Sequence, residues 1–158
     1  MNILIVPSKL YRPFLISAAL CLLSVTGATS AGNVEELYEA AGNGDSAKVT
    51  ALLDSGVDVN GRTDTGSFAL NNAAVENEIE VMQILLDRGA DPNVQNSQGD
   101  TPLICATKYA GGKAGTVQIL VEAGTDLAIK DAKGNTALDY AKAKDQQGAI
   151  ALLAQAAN

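Results

Sequence analysis

Leu85-Leu86-Asp87-Arg88-Gly89-Ala90-Asp91-Pro92-Asn93 has a near copy 33 residues upstream, Leu52-Leu53-Asp54-Ser55-Gly56-Val57-Asp58-Val59-Asn60. A weaker copy, Leu120-Val121-Glu122-Ala123-Gly124-Thr125-Asp126-Leu127, stands 35 residues downstream. Self-similarity at this period marks a chain made by stacking one structural unit. A second landmark, Gly99-Asp100-Thr101-Pro102-Leu103, recurs as Gly134-Asn135-Thr136-Ala137-Leu138 and, one unit earlier, as Gly66-Ser67-Phe68-Ala69-Leu70. The two landmarks keep one spacing, so the whole unit repeats and not one phrase of it.

Each unit reads as two short helices. Thr101 is placed to cap the first by accepting a backbone N–H bond, and Pro102 sits where a missing N–H costs nothing. Val81, Ile84 and Leu85, with their counterparts Val117, Leu120 and Val121, recur at helical spacing, so one stripe of the second helix faces a neighbouring unit. Gly56, Gly89 and Gly124 follow the helix ends, where positive φ is wanted. A single unit cannot cover its own apolar face, and stability has to come from its neighbours.

These landmarks resemble the ankyrin repeat, whose pattern is Gly-x-Thr-Pro-Leu-His-x-Ala, a second helix ending in Leu-Leu, then Gly-Ala-Asp-x-Asn. The resemblance implies an all-α solenoid of four helix-turn-helix units with short extended turns, at about 33–60, 61–93, 94–128 and 129–158. Unit one, with Asn33, Val34, Glu35 and Glu36, and unit four, with the alanine-rich run Ala149 to Ala154, read as polar and small-residue caps. Two features depart from the family pattern. The chain has no histidine, and Asn71, Ile104 and Asp139 stand where the family's imidazole ties adjacent turns; a less rigid array is the expected consequence. Unit three also carries two extra residues within Tyr109-Ala110-Gly111-Gly112-Lys113-Ala114-Gly115, where glycine favours an extended, mobile turn between the helices.

The chain divides into residues 1–31 and a repeat domain, 32–158. Lys9 and Arg12, an apolar run from Phe14 to Val25 and then Gly27-Ala28-Thr29-Ser30-Ala31 have the three regions of a secretory signal peptide. Cleavage is expected after Ala28, Ser30 or Ala31. The apolar run is shorter than the roughly 20 residues of a membrane anchor, and Leu20 before Cys21 departs from a lipoprotein site. No stable membrane insertion is therefore expected after cleavage. A small exported ankyrin protein is similar to the periplasmic ankyrin proteins of Gram-negative bacteria, which places the chain in the periplasm first and outside the cell second.

Without residues 1–31 the chain carries 9 basic and 18 acidic side chains, a net charge of −9. Such a surface repels nucleic acid and anionic lipid. The acidity is one-sided: residues 32–93 hold 12 acidic and 3 basic side chains, residues 94–158 six of each. A protein partner with a basic patch would be drawn to the first two units. Cys105 is the one cysteine of the repeat domain, so no internal disulfide forms; its place on the first helix of unit three points to burial.

Catalysis finds little to work with. No Ser/His or Cys/His pair exists, Cys105 lacks an activating base, and no cofactor or metal is expected. Glu76 and Glu80 have helical spacing for a carboxylate pair, but like charges at this spacing read as a solvated face. Asp58, Asn60 and Asp64 hint at a calcium loop without its closing glutamate. The expected function is docking of a folded protein in the concave groove. By position the resemblance implies Arg62, Asp64, Thr65 and Ser67 in unit two, Ser97, Gln98 and Asp100 in unit three, and Lys133 and Asn135 in unit four as contact residues. Tyr109, with Lys108 beside it, is the sharper candidate because tyrosine is a favoured binding anchor. An enzyme inhibitor or immunity protein is the alternative within binding, and a redox or stress protein using Cys105 the alternative outside it.

Overall fold

The computed structural model describes residues 30–157; the leader-like segment, with Cys21 and Ala28, lies outside them, while Ser30 already opens the first helix. Each unit is a pair of helices: α1 (Ser30–Gly42) with α2 (Ser46–Asp54), α3 (Ala69–Glu76) with α4 (Ile79–Asp87), α5 (Pro102–Lys108) with α6 (Ala114–Glu122), and α7 (Ala137–Ala143) with α8 (Gln147–Ala156). The first helices α1, α3, α5 and α7 pack side by side in one row, and α2, α4, α6 and α8 in a second. The fold is the all-α solenoid that the repeats require.

Local chemistry sets the helix ends. Thr101 Oγ1 accepts from Ile104 N at 3.2 Å and Pro102 is the first residue of α5. Thr136 and Asp139 form a reciprocal capping box on α7, and Asp45 caps α2 through Lys48 N at 2.9 Å. Unit two has Phe68 at the cap, with no side-chain bond, so the weakest copy of the sequence landmark also has the weakest cap.

The core follows the repeat. Leu37, Leu70 and Leu103 hold one position of successive units and are 1–2% exposed, and in the second row Leu85 and Leu120 are 0% and Leu153 2% exposed. Of the expected second-helix stripe, Val81, Leu85, Val117 and Leu120 are buried, whereas Ile84 and Val121 are half-buried. Buried alanines, among them Ala41, Ala74, Ala106 and Ala141, let the first helices approach closely without leaving voids.

Between units, the chain forms projecting tips. Thr63 N bonds to Ser67 O, Asn96 N to Asp100 O and Asp131 N to Asn135 O at 2.9–3.1 Å. Tip joins tip through Ser97 N to Gly66 O and Ala132 N to Gln98 O, both 3.0 Å. Gly99 is needed at this junction: its φ is +77°, and a Cβ there would lie 2.9 Å from Ala132 N.

Adjacent units are also tied without any imidazole. Asn71 Nδ2 donates to Asp100 O at 3.0 Å, Asn72 Nδ2 to Tyr38 O at 2.9 Å, and Gln146 Nε2 to Thr107 O at 2.8 Å. Asparagine thus takes over the histidine position in unit two. The calcium-like run is spent on similar ties: Asp58 Oδ1 accepts from Asn60 N, and the Asn60 amide bridges to Gly89 O and Asp91 N.

Two sequence expectations are corrected here. Glu76 closes α3 and Glu80 lies in the first turn of α4, with Asn77 at φ +65° reversing the chain between them; they share no helix face. The inserted glycine turn of unit three is curled, not extended. Gly111 and Gly112 both take positive φ, Gly112 is buried and its N–H bonds to Ala106 O at 2.9 Å, while Ala114 and Gly115 belong to α6. Two successive left-handed residues absorb the extra length as a loop folded onto its own unit.

Gly89 takes φ +87° at an exposed position where an added Cβ would touch nothing within 4 Å. Any cost of substitution is then backbone strain alone. Gly89→Val is expected to destabilise by about 1–2 kcal/mol, and Gly89→Asn by less, because asparagine tolerates this conformation. Urea unfolding of the two variants checks it; equal stabilities would refute the left-handed assignment.

Candidate functional site

The first helices and the tips enclose a groove, and the residues expected to meet a partner fall into two groups. Arg62, Asp64, Thr65, Ser97, Gln98 and Lys133 are exposed on the tips, with Ser67 and Asn135 half-buried. Some of their polar groups are already used internally: Asp64 N donates to Glu35 Oε1 at 2.7 Å, and the Thr65 and Thr63 hydroxyls meet at 3.0 Å.

Asp100 and Lys108 do not belong with them. The Asp100 side chain is fully buried, and the Lys108 side chain is 12% exposed. Lys108 Nζ donates to both Asp100 oxygens at 2.9 Å and lies 3.5 Å from Asp131 Oδ2. A lysine at the end of α5 therefore clamps two consecutive tips from the inside. The expectation that Asp100 and Lys108 are free contact residues is corrected. A carboxylate with no access to water needs a paired cation, and Lys108 is that cation.

Tyrosines close the cluster. Lys108 Nζ is 5.1 Å from the Tyr109 ring centre and 5.3 Å from that of Tyr140, within the range of cation–π attraction. Tyr140 OH donates to Asp131 Oδ2 at 2.5 Å. Tyr109 OH donates to Gln98 Oε1 at 2.9 Å and lies 3.2 Å from Asp100 Oδ2. Tyr109 nevertheless stays 51% exposed: its hydroxyl is pinned to the tip while its ring remains available on the groove. Asp131 and Tyr140 were missed in the sequence, although counting along the repeat would have placed Asp131 opposite Asn96 and Tyr140 opposite Cys105.

Charge in the cluster is strongly held. Burial of the Lys108 ammonium works against its charge, but the bonds to Asp100 and Tyr109 outweigh that and keep its pKa above the ordinary lysine value. Burial likewise opposes the charge on Asp131, yet the Tyr140 hydroxyl, the Asn135 and Lys133 backbone N–H groups and Lys108 together lower its pKa to about 2. Because the folded value lies below the unfolded 3.8, this contribution is complete above about pH 4 and is lost as pH falls toward 2. The shift corresponds to roughly 2 kcal/mol. Asp131→Asn, which keeps the oxygen facing the tip N–H groups as Asn96 does in unit three, is expected to lie about that far below wild type at pH 6 and to converge with it near pH 2. Denaturant midpoints across that range measure it; a constant gap would refute the assignment.

Cys105 is 2% exposed. Burial pushes its thiol up to about 11, with the Asn71 amide pulling the other way. A protonated, covered thiol is a poor nucleophile, so the geometry speaks against redox chemistry at this position. Among the described residues, no group of three or more histidine, cysteine or carboxylate side chains is arranged to hold a metal, and no helix is long and apolar enough to cross a membrane.

Stacked helix pairs, hydrogen-bonded tips and a groove carrying a pinned, exposed aromatic define a helical-repeat binding scaffold. A family model for ankyrin repeats, in three copies, matches residues 37–131, more than half of the chain, and the chain belongs to that family. Unit four lies almost wholly beyond the match, and its membership rests on the packing of α7 and α8 in the two rows. Similar proteins include the 2-5A-dependent ribonuclease of Mus musculus, 38% identical over 71 residues, which is 44% of this chain and 10% of the ribonuclease. Human neurogenic locus notch homolog protein 1 is 40% identical over 55 residues, 35% of this chain and 2% of that protein. Ankyrin repeat domain-containing protein 40 of Mus musculus is 37% identical over 70 residues, 44% of this chain and 19% of that protein. The chain thus spans less than a fifth of each of these relatives. Ankyrin repeats are a general protein–protein interaction module, and the family is in general non-catalytic.

Proposed function

We propose that this chain is an exported, non-catalytic binding module, with residues 1–31 as its signal peptide, and that it works in the periplasm by docking a folded protein in the groove between tips and first helices. The observation that carries the reading is Tyr109, 51% exposed on the groove while its hydroxyl is fixed to the unit-three tip. A pre-ordered aromatic ring loses little freedom on binding. The acidic first half, 12 acidic against 3 basic side chains in residues 32–93, selects a partner with a basic patch and speeds its approach at low salt.

Affinity capture with residues 32–158 from a periplasmic extract, at low and high salt, tests this. A partner retained at low salt and lost at high salt is expected; no partner at either salt would count against the reading. Tyr109→Ala is expected to weaken that partner at least about tenfold, while costing less than about 1 kcal/mol of stability, since the ring is half exposed. Titration calorimetry and thermal unfolding separate the two effects, and a large drop in melting temperature would make Tyr109 a packing residue. Inhibition of an enzyme remains the alternative, decided by whether a captured enzyme loses activity when bound.

A further inference from the structure

Two asparagines of the described chain are followed directly by glycine, Asn43 by Gly44 and Asn60 by Gly61. Such a pair carries a latent reaction. The glycine backbone nitrogen attacks the asparagine Cγ: a C–N bond forms, the Cγ–Nδ2 bond breaks, and ammonia leaves with the glycine amide proton. Water then opens the five-membered imide. Addition at Cγ gives aspartate, and addition at the main-chain carbonyl gives isoaspartate, whose chain continues through the side chain. Glycine favours the closure because it has no Cβ to restrict the backbone at the attacking nitrogen, and the rate depends on how readily the two atoms reach that geometry.

The fold treats the two pairs differently. Asn60 is held at both ends of its amide: Nδ2 donates to Gly89 O at 3.0 Å and Oδ1 accepts from Asp91 N at 2.8 Å. Gly61 N is itself engaged by Asp58 O at 2.9 Å. Closure at Asn60 therefore has to break bonds that join unit one to unit two. Asn43 is exposed in the turn between α1 and α2, and its side-chain amide makes no hydrogen bond among the described residues. The turn is fastened by Asn43 N to Glu39 O and Asp45 N to Ala40 O, both 3.0 Å. Those bonds belong to the end of α1, in a unit that among the described residues has a neighbour on one side only. Helix ends in terminal units open at lower cost than interior seams.

We propose that Asn43 is a site of spontaneous deamidation, converting to aspartate and isoaspartate, while the seam between units one and two protects Asn60. The product puts a new carboxylate into the hollow that Asn43 lines together with Glu39 and Glu76. Isoaspartate also inserts an extra main-chain carbon between α1 and α2, two residues before Asp45, which caps α2 through Lys48 N. The first unit thus becomes more acidic and its turn looser as the protein ages, without an enzyme.

The test is ageing of the purified protein in mildly alkaline buffer at body temperature, folded and in concentrated urea, followed by digestion and mass spectrometry that distinguishes aspartate from isoaspartate. In the folded protein Asn43 is expected to convert at least about tenfold faster than Asn60. In urea the two rates are expected to agree within about threefold, since both asparagines precede glycine and the fold no longer separates them. An Asn43 that stays intact in the folded protein, or an Asn60 that converts as fast, would overturn the proposal. The same rate ratio in urea would also overturn it, because the difference would then lie in the local sequence and not in the fold. Asn43→Gln is expected to abolish the more acidic species that ion exchange resolves on ageing, with the unfolding midpoint of the fresh protein unchanged; persistence of that species would assign the charge change to another residue.

Discussion

Replacing Lys108 by methionine, which keeps most of the side-chain volume, is expected to destabilise the protein by about 3–5 kcal/mol. The reason is what the substitution leaves behind. The Asp100 side chain has no exposed surface and that of Asp131 1%, so removing Nζ strands two carboxylates with little water to solvate them. An exposed ion pair would cost at most about 1 kcal/mol; the burial of the acidic partners is what moves Lys108 into a different class. A double-mutant cycle isolates the effect, since Lys108→Met should cost clearly less in an Asp100→Asn background. Unfolding midpoints in urea read both terms. A loss under 1 kcal/mol for the single variant would mean that the cluster is open to solvent and that Lys108 is, after all, a surface residue.

Leu85→Ala is expected to cost about 3 kcal/mol, within the range for deleting a fully buried leucine. Leu85 is 0% exposed in α4, and α4 packs against α2, α3 and α6, so a void there is felt by three neighbours and cannot close by moving one of them. In a stacked array the loss also weakens both interfaces on which unit two depends. Its neighbour Leu86, which is only half-buried, provides the comparison: Leu86→Ala should cost about 1 kcal/mol or less. The pair of measurements reads the register of the helix directly, and equal losses would show that the stripe is turned from its assigned face.

The burial of Leu85 was legible from helical spacing inside the repeat, but the register in unit three was set one residue off: Leu120, not Val121, is the buried counterpart of Leu85, and Ile84 and Val121 are half-buried. Thr101 with Pro102 was legible, as was Gly89, where a local conformation demands a residue type. Cys105 was also legible, since its repeat position is interior. Asp100 was not. Read along the chain it stands beside Gln98 on a projecting tip and looks like a surface acid, and only the return of α5 brings Lys108 over it. Tyr140 and Asp131 come from a different unit, 32 and 23 residues further on from Lys108, and nothing local pairs them with it. The two-residue insertion was located correctly, but its shape depends on whether neighbouring side chains, here Gln146 and Ala149, leave room for it to curl.

By itself the sequence determined the unit, the number of its copies, the helix ends and the apolar stripe, because each of these is decided by contacts a few residues apart and repeated at a constant interval. Tertiary structure alone decided which charges are buried, which asparagines replace the missing imidazole ties, and that Tyr109 stays half exposed while its hydroxyl is fixed to the tip. The amide ties join residues 29 to 39 apart across the seams between units, and the Lys108 cluster reaches from Asp100 in its own unit to Asp131 in the next. A periodic sequence specifies that such seams exist; the electrostatics of each one depends on the particular side chains that packing brings together.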